Sequence, residues 1–110
     1  MRKLRSIFLI HVSNLHQTPS PDQNSEHFTT ILDNGSLRIE AIRSWLKTPG
    51  ELYNQEQDEW VVLIEGEAKL EVENQILNLQ RGDYLFIPKH TPHRVHSTSK
   101  DALWIGIFSS

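Results

Sequence analysis

The chain has no cysteine, which excludes disulfide staples, thiol nucleophiles and thiolate-bound metals, and makes a reducing cytoplasm the expected home. It also lacks long apolar runs. The run Ile7 to Ile10 follows three positive charges but stops at His11. That is short of the roughly 7–15 apolar residues of a signal-peptide core and far short of the ~18 a membrane helix needs, so the start reads as a short edge strand and no membrane partner is expected. Clustered positive charge is missing as well. Eleven Lys and Arg lie scattered among 14 Asp and Glu, for a formal net charge of −3 with six histidines neutral. Nucleic-acid binding needs gathered basic residues to displace counterions, and it is not expected here.

What is present is enough for one compact domain. The 110 residues are 37% hydrophobic and include nine aromatics, a modest core that leaves stability to be gained by self-association. Residues 13–27 are polar and carry two prolines without periodicity, so residues 1–35 read as an N-terminal strand followed by a loop or arm, and 36–110 as the barrel core. From Leu37 to Trp45 apolar residues alternate with polar ones, the period of a half-buried strand. Thr48-Pro49-Gly50 punctuates. Two β-rich runs then meet at Glu65-Gly66-Glu67, which predicts a hairpin; Asn74-Gln75 and Arg81-Gly82-Asp83 predict further turns, and Pro88 ends the strand over Tyr84–Ile87. Strands over 93–98 and 103–109 complete an all-β, antiparallel sandwich or barrel.

Two strands, Val61–Ile64 and Tyr84–Ile87, are apolar at consecutive positions. A strand with one wet face alternates, whereas one covered on both faces does not. In so small a chain the second cover is expected from the margin of the opposite sheet or from another subunit, and a homodimer is the favoured expectation.

Glu59, six residues and Gly66 in one stretch, and Gly82, five residues, Pro88 and then His93 in another, resemble the two motifs of small single-domain cupins, G(X)5HXH(X)3-4E(X)6G and G(X)5PXG(X)2H(X)3N. The resemblance implies a jelly-roll barrel with a divalent ion (Zn, Fe, Mn or Ni) in its mouth, and places Glu59 and His93 at ligand positions. The first-motif histidines are replaced by Tyr53 and Gln55, or by Asn54 under the alternative spacing, the late glycine by His90, and the final asparagine by Ser97. The resemblance thus implies Gln55, Glu59 and His93 as the metal set, with Gln55 a weaker donor than the imidazole it replaces, and parity agrees with part of it: along an extended chain without a bulge, Tyr53, Gln55, Glu59, Val61 and Leu63 share one face. His96 points away from His93. Tyr53 and His90 are the candidate catalytic proton donors. In the plainer alternative, Glu59 is a buried carboxylate paired with Arg43 or Arg94.

By family analogy the mouth takes a small polar or anionic molecule, and the reaction classes are dioxygenation, isomerisation or decarboxylation. The competing reading is a non-catalytic binding or sensing module that has given up the metal. A fold alone does not choose between them.

Overall fold

The computed structural model describes residues 10–110, so the strand predicted over Ile7–Ile10 falls almost wholly outside the described residues. Among the described residues a 3-10 turn at Leu15–Gln17 precedes eight strands: β1 (Ser25–Asp33), β2 (Leu37–Trp45), β3 (Asp58–Glu65), β4 (Glu67–Val72), β5 (Gln75–Gln80), β6 (Tyr84–Ile87), β7 (His93–Thr98) and β8 (Ala102–Ser109). They form two antiparallel sheets, one ordered β1-β2-β8-β3-β6 and the other β5-β4-β7. Among the described residues no helix is long and apolar enough to cross a membrane.

Period-two patterning builds the interior. Along β3, Glu59, Val61 and Leu63 are buried, while Trp60, Val62 and Ile64 on the opposite face are partly open. Ala68 and Leu70 of β4 answer from the facing sheet, and Ile42, Ile87, Ala102 and Trp104 fill the space between. Leu63 is fully enclosed, a burial that contributes roughly 1.5–3 kcal/mol.

The chain departs from the sequence reading in two places. Glu65-Gly66-Glu67 is not a hairpin, because β3 pairs with β6 and β8 while β4 pairs with β5 and β7. It is a corner at which the chain changes sheets. Gly66 has φ +95, and a Cβ there would meet Ser99 Oγ at 2.7 Å and the Ala102 backbone at 3.1 Å, so both the turn and the close approach require glycine. The hairpin lies one strand later: Val72 pairs with Gln75 across Glu73 and Asn74, both with positive φ, the two-residue turn whose twist matches the strands.

The second departure is β1. The polar arm turns into a nine-residue strand at Ser25 and pairs along β2 from Ser25–Trp45 to Asp33–Arg38, which draws part of the arm into the barrel wall. Its alternate residues Glu26 and Phe28 border the space between the sheets, Phe28 while still 45% exposed.

On the outer face of the larger sheet, Trp60 pairs with Phe86 and Ile107, and Val62 with Tyr84 and Ile105. Tyr84 is 67% and Phe86 57% exposed, and the Trp60 and Tyr84 rings lie 5.5 Å apart. The continuous apolar runs of β3 and β6 therefore place one side in the core and the other on an open apolar face.

Candidate functional site

A cavity of about 210 Å³ opens between the sheets. Its wall is apolar over Ile42, Val61, Leu70 and Ile87, aromatic at Phe28, Trp104 and Phe108, and polar where Glu26, Arg38, Glu40, Tyr53, Gln55, Glu59 and His93 emerge.

Gln55, Glu59 and His93 come together. Gln55 Nε2–H donates to Glu59 Oε1 at 2.9 Å, and His93 Nε2 lies 3.4 Å from the same oxygen. Glu59 and His93 are each 6% exposed. Tyr53 and Gln55 do not extend β3, as simple alternation predicts. They lie on the segment before it, which is laced to β7 by the paired backbone bonds of Tyr53 with His93 and by the bond from His90 N–H to the Gln55 carbonyl. The Tyr53 ring sits 5.8 Å from the His93 ring.

His90, a candidate proton donor from the sequence, is exposed in a positive-φ turn and does not line the cavity; its backbone, not its imidazole, serves the site. Asp58 accepts from Lys89 N–H at 2.9 Å and steadies the same turn from outside. Glu59 pairs with neither arginine of the plainer alternative: Arg43 bonds to Thr18 and the His16 carbonyl, close to Asp101.

Hydrogen-bond chemistry assigns the protons. His93 Nδ1 faces the Thr91 carbonyl at 2.9 Å, and since a carbonyl only accepts, Nδ1 carries a hydrogen. Nε2 is left facing Glu59 Oε1, 3.4 Å away. Burial alone would push the His93 imidazole down, but the Glu59 hydrogen bond, the Thr91 carbonyl and the carboxylate charge together outweigh it and hold His93 above its ordinary value. Tyr53 is pushed up to about 12, first by burial and then by the carboxylates of Glu26, Glu51, Glu59 and Glu40, so it stays a phenol and a hydrogen-bond donor rather than a phenolate ligand.

The sequence reading missed Glu26. Its carboxylate accepts from Ser44 Oγ–H at 2.7 Å, and Ser44 Oγ in turn accepts from Trp104 Nε1–H at 3.2 Å. Burial raises the Glu26 carboxyl above its usual range, opposed by the Ser44 bond, with the nearby Glu51 and Glu59 charges adding to the rise. The only signal in the sequence is the alternation of Glu26, Phe28 and Thr30, which is too polar to stand out as a strand.

A divalent ion can be tested against these donors. Two ligands each about 2.1 Å from one ion lie roughly 3.0–3.4 Å apart, and Glu59 Oε1 and His93 Nε2 meet that spacing at 3.4 Å. Gln55 turns its N–H toward the carboxylate and would have to reverse its amide to ligate. Among the described residues no group of three His, Cys, Asp or Glu side chains gathers. Two strong donors and one neutral amide fit a loosely held ion with open positions, not a closed structural site.

The described geometry has counterparts. The family model for the cupin domain matches residues 47–108, more than half of the chain. A crystal structure from Ralstonia eutropha JMP134, provisionally named a mannose-6-phosphate isomerase, is 30% identical over 92% of this chain and 99% of that one, with a TM-score of 0.81. KdgF from a Halomonas species (22% identity, 86% and 87% coverage, TM-score 0.73) shares the fold. So does an RmlC-like cupin from Shewanella frigidimarina NCIMB 400 (23% identity, 92% and 91% coverage, TM-score 0.71). No curated protein matches the chain.

Proposed function

This chain belongs to the cupin family, and from that premise we propose that its barrel mouth binds a small hydroxylated molecule at the Glu59–His93 pair and moves a proton on it. The observation that carries the reading is the buried chain Gln55–Glu59–His93 at the wall of an otherwise apolar cavity. Buried ionisable groups are costly to keep without a use or a partner, and a carboxylate and an imidazole sharing one proton can give or take it as a bound hydroxyl requires. Thr91 holds the imidazole in one orientation, Gln55 holds the carboxylate, and Tyr53 offers its phenol to a ligand oxygen. The Ralstonia protein's name adds isomerisation, a proton-transfer reaction, as the favoured class.

Glu59, His93 and a reversed Gln55 would also hold a divalent ion, which would supply Lewis-acid polarisation of a bound oxygen. The open apolar face of β3, β6 and β8 supports a homodimer.

Sorbitol titrated into the full chain, followed by NMR, tests the site. It is expected to shift the His93 and Gln55 side-chain signals in the wild type and to lose that effect in Glu59→Gln. Shifts confined to the outside of the barrel, or equal in both proteins, overturn the reading. Zn²⁺ titration followed by thermal unfolding tests the ion: a stabilisation equal in wild type and His93→Ala removes the metal assignment.

A further inference from the structure

Resting on that reading of the cavity, we propose that its ligand is a small organic cation, a hydroxylated amine whose ammonium group sits with Glu26 between the aromatic walls of Phe28 and Trp104. Pairing within the cavity leads to this. Of three lining carboxylates, Glu59 has His93 as its partner and Glu40 has Arg38 at 3.3 Å. Glu26 has a hydroxyl, Ser44, and no basic side chain among the described residues.

Several lining donors are already engaged. The Ser44 hydroxyl donates to Glu26, the Trp104 indole to Ser44, Gln55 to Glu59, and His93 Nδ1 to Thr91. The Arg38 guanidinium lies 4.4 Å over the Phe108 ring beside Glu40, its charge offset although its Nε has no hydrogen bond. Open groups of both kinds remain: the Tyr53 hydroxyl and Arg38 Nε donate to no described residue, and one oxygen of Glu59 is a free acceptor. Glu59 is 6% exposed, and its second oxygen, Oε2, takes no hydrogen bond from any described residue. Gly106 makes room for it, since a Cβ there would meet Oε2 at 3.3 Å and the Phe108 ring at 3.0 Å. What singles out Glu26 is that it is a lining carboxylate with no basic partner, on the same cavity wall as the Phe28 and Trp104 rings, a setting that favours an ammonium, which only donates.

The same charges oppose an anion. Tyr53, inside the cavity, feels the carboxylates of Glu26, Glu51, Glu59 and Glu40, each acting in the same direction. A phosphorylated ligand would meet that field with Arg38 and His93, each already beside a carboxylate, to offset it.

Three six-carbon polyols that differ mainly in charge test the proposal: glucamine, sorbitol and sorbitol 6-phosphate, titrated into the full chain by calorimetry with NMR to locate the contact. Glucamine is expected to bind at least about tenfold more tightly than sorbitol, a modest return for one partly desolvated ion pair, and sorbitol 6-phosphate more weakly than sorbitol. Glu26→Gln should erase the amine preference while sorbitol binding persists; Glu26→Asp, which keeps the charge, should retain part of it. If sorbitol equals glucamine in the wild type, or the phosphate binds best, the cation assignment fails while the Glu59–His93 site stands. If none of the three moves a cavity signal, both fail. An amine preference that survives in Glu26→Gln also overturns the assignment.

Discussion

Replacing Glu59 with glutamine keeps the shape of the buried chain and removes its charge, so it isolates what the carboxylate does to His93. Two unit charges 3.4 Å apart attract by roughly 5 kcal/mol at an effective dielectric near 20. Burial of both groups offsets much of that, leaving a coupling of about 1–3 kcal/mol. Without the carboxylate, burial becomes the dominant influence on the imidazole and the direction reverses, so the His93 value should fall below that of the wild type.

The sign for stability follows from linkage. The folded value is raised, so the contribution is fully present below the ordinary histidine pKa of about 6.5 and is lost as pH rises through the higher folded value. NMR titration of the His93 ring gives the pKa directly, and denaturant unfolding across the same window gives the stability. A His93 value at or below the ordinary one in the wild type, or one unmoved by Glu59→Gln, would refute the coupling.

Two further outcomes follow from the fold. Gly66→Ala should cost about 2–4 kcal/mol, since it adds a positive-φ penalty to contacts at 2.7 and 3.1 Å; a urea midpoint within error of the wild type would mean the corner relaxes freely. Phe86→Lys places a charge on the open face of β6 and should convert a dimer to a folded monomer in sedimentation; a wild type that already sediments as a monomer removes the predicted interface.

The strands with strong alternation or long apolar runs were legible in the sequence, and β2 and β7 fall where the pattern places them. So was the neighbourhood of Glu59 and His93, because motif spacing constrains which residues face inward. The corner at Gly66 was not, since a glycine between two β-rich runs serves a hairpin and a change of sheet equally well; only the pairing partners tell them apart. For His90, spacing brings the chain near the mouth, and only the folded turn shows that its side chain is exposed, at positive φ.

By itself, the order of residues determined an antiparallel β architecture, the parity of Glu59, Val61 and Leu63, and the absence of thiol and disulfide chemistry, because side-chain alternation and composition are local properties of the chain. Tertiary structure decided which polar groups meet. Gln55 reaches Glu59 only because its segment is pinned to β7, and Glu26 enters the cavity only because a polar arm finds β2 to pair with. The bonds that arrange this, Tyr53 with His93, His90 with Gln55 and Ser44 with Glu26, join residues far apart in the chain, and their energies come from burial and hydrogen bonding in the closed barrel, which no local pattern encodes.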